Sequence, residues 1–264
     1  MNRILFALST AYMIALSMLH AQQVLIYGNI AVPTGDFGKD IGENPLIRER
    51  GGFDIGENVG LAETGFGAGV ELITPVTLGG LDWILSARLL TNSSNTAAIE
   101  MEFEHQLGDT VDIKFEYGNW INIPVMTGFR YNFSLAPNLS MYGLIQVGIN
   151  VSKAASRKAI RPEIAVRWTY PDLTVVDTTL LDYPVEKNTY DFARDFGVEF
   201  GLGIELANKF NLGLRYLALN SPRYEGTRKL SEKQFPGIFS RESAILGEQR
   251  SISMFLVTLG YYLF

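Results

Sequence analysis

The sequence predicts an all-β protein: an eight-stranded antiparallel up-and-down β-barrel that spans a membrane, with long extracellular loops and short periplasmic turns. Three observations predict it. Apolar residues alternate with glycine and polar residues over strand-length segments. Eight such segments are joined by connections that alternate long and short. The chain then stops at Phe264 on a nearly all-apolar run, "FLVTLGYYLF", where chains in water usually fray into polar residues.

The first segment of the chain is not part of that pattern. "MNRILFALSTAYMIALSMLHA" carries one positive charge at Arg3, an apolar stretch from Ile4 to Leu19 and a small residue at Ala21. That three-part order is the mark of a secretory signal peptide, so residues 1–21 are expected to be cleaved and 22–264 to form the barrel domain. Without Arg3 the mature chain has 21 basic and 28 acidic residues, an acidic balance that argues against nucleic-acid binding. Cysteine is absent, which excludes disulfides and thiolate metal sites. With 26 Gly, 12 Tyr and 16 Phe and only 19% charged residues, the composition suits strands rather than helical bundles.

Alternation defines the strands in order. A strand points successive side chains to opposite faces. In "RDFGVEFGLGIELA" one face holds Phe196, Val198, Phe200, Leu202, Ile204 and Leu206, and the other holds Gly197, Glu199, Gly201, Gly203 and Glu205. "KFNLGLRYLA" sets Phe210, Leu212, Leu214 and Tyr216 against Asn211, Gly213 and Arg215, and "INIPVMTGFRYNF" sets Val125, Phe129, Tyr131 and Phe133 against Met126, Gly128, Arg130 and Asn132. "LDWILSARLL", "TGFGAGVELITPV" and "SMYGLIQVGINV" divide the same way, putting Arg88, Glu71 and Gln146 on the less apolar face. "VLIYGNIAVP" opens the set and "SISMFLVTLGYYLF" closes it. A soluble sandwich would bury bulk but would not fill its polar face with glycine, so the oily rows are read as facing lipid and the glycine rows as facing a lumen.

"AAIEMEFEHQLGDTVDIKFEY" also alternates. Its parity continues that of its neighbours, so strands three and four are read as a long hairpin projecting past the membrane, turned at Gly108–Thr110; two further crossings and a ten-stranded barrel are the alternative. Trp83, Phe129, Tyr131, Phe133, Phe210, Tyr262 and Phe264 are expected near the short turns on the outward face, forming an interfacial girdle.

Six inward charges are the candidate site: Glu71, Arg88, Arg130, Glu199, Glu205 and Arg215. An eight-stranded barrel is just wide enough for side chains to fill, so these charges are expected to pair and to plug the lumen rather than line a path through it. No catalytic residue, cofactor or metal is expected. The one histidine of the mature chain, His105, lacks a nearby serine partner, and "GFGAGVE" lacks the strand–turn–helix setting of a dinucleotide loop. The loop at 34–62 is acidic. That at 219–250 holds Arg223, Arg228, Lys229, Lys233, Arg241 and Arg250, a basic excess suited to outer-leaflet phosphates.

"LIYGNIAVPTGDFG", "NIPVMTGFRYNF" and the closing "TLGYYLF" carry a family likeness across the whole mature chain. The chain resembles the small outer-membrane β-barrels of Gram-negative bacteria, most closely the Bacteroidetes-type group that includes PorT-like proteins, and with them the eight-stranded OmpA- and OmpX-like barrels. The resemblance implies residence in the outer membrane and insertion by the barrel assembly machinery, for which Met254, Leu256, Tyr262 and Phe264 look like the signal. It implies as partners outer-membrane lipids and lipopolysaccharide. The function expected is a non-enzymatic structural or surface-interaction role through the extracellular loops; the alternative is a PorT-like secretion accessory or a narrow transport channel.

Overall fold

The computed structural model describes residues 23–39, 46–47, 53–54, 59–76, 79–98, 100–101, 114–160, 164–168, 177–181, 185–231 and 241–263. The leader 1–21, His105, Lys233 and Phe264 lie outside them. Eight strands form one closed antiparallel barrel: β1 (Gln23–Thr34), β2 (Gly65–Pro75), β3 (Leu81–Asn92), β4 (Trp120–Ala136), β5 (Leu139–Lys153), β6 (Phe192–Leu206), β7 (Phe210–Leu219) and β8 (Ile252–Tyr262). Each strand pairs with its neighbours in sequence, and β8 returns to β1 from Leu25↔Tyr262 to Thr34↔Ser253, so the barrel sheet has no free edge. The turns β2–β3, β4–β5 and β6–β7 lie at one end, and the longer connections at the other.

Parity follows the sequence pattern. Phe66, Leu89, Phe129, Ile145, Phe200, Leu214 and Leu259 face outward and are exposed, while Glu71, Arg88, Met126, Gln146, Glu199 and Arg215 are buried inside. Glycine serves a steric purpose at two inward positions. A Cβ on Gly203 would collide with Cζ and Oη of Tyr142, and one on Gly69 would lie 2.7 Å from Tyr27 Cζ. Removing two side chains thus makes room for two rings in a lumen with little space to spare.

The longer-loop end is asymmetric. Strands at Lys114–Tyr117, Arg157–Ile160, Val185–Tyr190, Arg223–Ser231 and Arg241–Gln249 form a separate five-stranded sheet. Each lies next in sequence to one of β4 to β8, and their order repeats that of the barrel strands beneath, so one side of the wall continues upward as a sheet. The projecting hairpin expected from strands three and four is therefore corrected. Residues 96–98 and 100–101 are helical, and Lys114–Tyr117 pairs with Arg157–Ile160 instead. The physical reason is local: Asn95 Oδ1 accepts the Ala98 N–H at 3.2 Å, a helix-starting bond that ends the extended chain after β3. The middle of that stretch, 102–113, lies outside the described residues.

One facing is also corrected. Tyr262, expected in the outward girdle, is 6% exposed and points into the lumen, as do Met254 and Leu256; Tyr261 is 43% exposed and faces outward, with its ring centroid 5.5 Å from that of Phe210. Phe129, Tyr131, Phe133 and Phe210 do lie outward and exposed.

Leu214, near the middle of the outward band and 55% exposed, gives a test. Leu214→Arg should destabilise the protein refolded in lipid vesicles by about 2–4 kcal/mol in guanidinium titrations, because an outward residue at this depth meets hydrocarbon.

Candidate functional site

The lumen is built from one residue in two on every strand, and its contents are layered. At the short-turn end, Arg130 reaches from β4 to Glu205 on β6 and lies over the Tyr142 ring, 4.2 Å from its centroid. Arg130 Nη1 donates to Tyr262 Oη at 2.8 Å, and Tyr262 Oη donates in turn to Glu205. Tyr142 Oη donates to Asn211 Oδ1 at 3.1 Å, and Asn132 binds both Arg130 and Asp82. The inward turn of Tyr262 is thereby explained: its hydroxyl joins a hydrogen-bond network that an outward ring would leave incomplete.

The next layer holds four charges and is neutral as a set. Arg215 Nη1 lies 2.8 Å from Glu71 Oε2 and 3.2 Å from Glu199 Oε1, and Arg88 Nη2 lies 2.7 Å from Glu199 Oε2, with every one of these side chains fully buried. Tyr27 packs beneath both guanidinium groups, its ring centroid 5.2 Å from Arg215 Cζ and 5.7 Å from Arg88 Cζ. Ser86 donates to Gln146 Oε1 at 3.2 Å. Buried charges survive only when paired, and one arginine held by two carboxylates leaves neither carboxylate alone. Arg88 and Arg215 each retain two guanidinium nitrogens without a protein acceptor. The layer is therefore balanced in charge but not saturated in hydrogen bonds.

Above it come two polar pairs: the Thr258 hydroxyl donates to Asn29 Oδ1 at 2.9 Å, and Asn150 Nδ2 donates to Asn122 Oδ1 at 3.2 Å. The top layer is apolar and aromatic. Phe37 stands edge-on to Trp120 with centroids 5.4 Å apart, and Trp120 meets Tyr224 at 6.0 Å. Met126, Leu217, Leu219, Ile252 and Met254 pack around them. The chain after β1 folds back over this stack: Trp120 Nε1 donates to Gly60 O at 3.2 Å and Arg250 Nη1 donates to Val59 O at 3.0 Å. Tyr224 shares a 2.8 Å bond with Ser152, and burial lifts its phenol well above the ordinary range, so it stays neutral.

All six charges expected in the lumen lie there, joined into two groups. The aromatic lid was not foreseen, although the signal was present: Trp120 shares the parity of Asn122 and Met126. The basic loop divides by role. Arg228 pairs with Glu186 at 2.7 Å, Lys229 with Glu242 at 3.3 Å, and Arg250 is buried against the chain that crosses the aromatic stack, while Arg223 is exposed.

No family model and no curated protein matches the chain. Among solved structures it is similar to neisserial surface protein A (NspA), with 9% identity and TM-score 0.41 over 91% of this chain and 94% of that one. Ail, the attachment invasion locus protein of Yersinia pestis, gives 11% identity and TM-score 0.36 over 91% and 97%. A major outer membrane protein from Thermus thermophilus gives 9% identity and TM-score 0.45 over 91% and 98%. The fold described above stands on the strand pairing itself.

Arg215→Met should cost about 3–5 kcal/mol in denaturant unfolding, because Glu71 and Glu199 would lose their shared counter-charge. Adding Glu71→Gln should return part of that loss. Additive costs would mean that the three groups do not act as a unit.

Proposed function

We propose that this chain is an exported, non-enzymatic outer-membrane barrel of a Gram-negative cell, closed to solutes, which presents a projecting sheet to an extracellular partner. The observation that supports the reading is the set of buried ion pairs and stacked rings inside the barrel beneath that sheet. Ion pairs and then an aromatic lid occupy successive levels, so the interior offers packing and charge balance rather than a path. What supports a membrane setting is the outward face. From Phe196 to Leu206 on β6 the outward residues are all apolar. A tilted strand needs about 9–11 residues to cross hydrocarbon, and that stretch meets the need.

A fully paired sheet also removes the backbone cost of lying in lipid. Export through the leader 1–21 and insertion by the barrel assembly machinery belong to the same reading. In the folded barrel the apolar face that the last strand turns toward lipid is Phe255, Val257, Leu259 and Tyr261, rather than Met254, Leu256 and Tyr262. The competing reading, a narrow channel or a PorT-like secretion accessory, needs the charged layer and the lid to part. Nothing in their packing favours it.

The wild-type protein in planar lipid bilayers should show no steady conductance at moderate voltage. Removing the lid and the Arg215 pairs together, in Trp120→Ala/Arg215→Ala, should introduce current. Steady ion flow through the wild type would overturn the closed-barrel reading.

A further inference from the structure

We propose that the outer face of β5 and β6, with the start of the strand above β7, binds the phosphorylated glucosamine head group of lipopolysaccharide through Lys153, Arg194 and Arg223. The inference rests on the outer-membrane reading and names a specific lipid contact within it. Along β6 the outward side chains run Leu206, Ile204, Leu202, Phe200, Val198 and Phe196, and the next is Arg194. Along β5 they run from Met141 to Val151, and the next is Lys153. Both cations thus sit one step beyond the apolar band, on adjacent strands.

The pairing fixes how close they come. Lys153 lies opposite Phe192 and Arg194 lies opposite Val151, so the two cations are diagonal neighbours. Diagonal residues on paired strands stand about 7–8 Å apart at Cα, within the span of one phosphorylated sugar. Lys153 Nζ lies 5.5 Å from the centroid of the exposed Phe192 ring, which holds the ammonium against the wall. On the other side, Asn220 donates its N–H to Phe196 O at 3.0 Å and Glu225 O accepts from Asp191 N–H at 2.9 Å. Chain 220–225 therefore runs beside 196–191 and brings the exposed Arg223 to the same place.

Charge around the three is arranged by height. None of Lys153, Arg194 and Arg223 has an ion-pair partner among the described residues. Asp195, next to Arg194 in sequence, has its Oδ1 taken by the Phe196 N–H and by Asn220 Nδ2. The exposed carboxylates Asp191 and Glu225 come further along both strands, away from the band. In the other direction, the ladder row from Lys153 through Ile121, Thr91 and Phe66 to Ile30 carries no other charge. Three cations clustered on one side of the rim, with apolar wall below and no ion-pair partner among the described residues, match an anionic group standing on acyl chains. Above them, Lys158, Lys187 and Lys229 form a cross-strand row that ends in Glu116 and Glu242, each bridged to its nearest lysine. That row is partly neutralised and stands off the band, so it serves as an internal control.

Lipid A carrying both phosphates, titrated into the refolded protein in neutral detergent and followed by native mass spectrometry, should bind at least about tenfold more tightly than lipid A stripped of phosphate. The K153Q/R194Q/R223Q variant should lose that preference, whereas K158Q/K187Q/K229Q, with the same change in charge, should keep most of it. Equal loss in the two variants would reduce the effect to diffuse charge, and equal binding of the stripped lipid would reduce it to acyl adsorption; either overturns the site. Arg194→Gln alone, with a smaller loss of the same preference, decides the matter if the triple variant does not fold. Heat-modifiable gel mobility separates this failure from that of the underlying reading. A protein with barrel mobility and no phosphate preference lacks only the site, while a monomer that dissolves without detergent is no membrane barrel at all.

Discussion

Backbone pairing without an edge is the constraint from which the rest follows. In hydrocarbon each unpaired N–H or C=O costs several kcal/mol, so a membrane sheet must close on itself. Here β8 closes onto β1 from Leu25↔Tyr262 to Thr34↔Ser253. Closure with eight strands fixes a narrow interior, and the narrow interior decides what the inward residues can be. Rings of Tyr27 and Tyr142 fit because Gly69 and Gly203 lack side chains, and arginines fit because carboxylates on other strands meet them across the lumen.

The interior is thus a core turned to polar use. A soluble barrel of this size would gain more from an apolar filling, since a buried ion pair rarely outweighs its desolvation. In a membrane the apolar face is needed outside, and an alternating strand with two apolar faces would lose the pattern that distinguishes lumen from lipid. The charged layer keeps that distinction legible on β2, β3, β6 and β7, through Glu71, Arg88, Glu199 and Arg215. On β8, where Ile252, Met254 and Leu256 point inward, the pattern weakens.

That weakening explains where sequence reasoning stopped. Strand parity was readable wherever glycine or charge marked one face, as at Gly197 to Glu205, and the six lumen charges followed from it. It failed at Tyr262 because β8 is apolar on both faces; only Thr258 and Gly260, of the same parity, hinted at an inward tyrosine. The hairpin after β3 failed because Asn95 starts a helical turn in a stretch whose alternation read as strand. The aromatic lid and the neighbouring Lys153, Arg194 and Arg223 depend on which strand lies beside which, information that periodicity along one segment does not contain. On the proposed reading of a closed lumen, the outer surface is the part of the molecule left to act, through the projecting sheet or at the lipid rim.

Cross-linking the first strand to the last tests closure most directly, since the protein has no cysteine of its own. Val32 and Phe255 are direct partners on the outward face, whereas Val32 and Val257 are out of step by two residues. Under mild oxidation in membranes, Val32→Cys/Phe255→Cys should form an intramolecular disulfide rapidly and Val32→Cys/Val257→Cys should form one slowly or not at all. Two pairs that react alike, or neither reacting while the protein remains folded, would contradict a barrel sealed in this register.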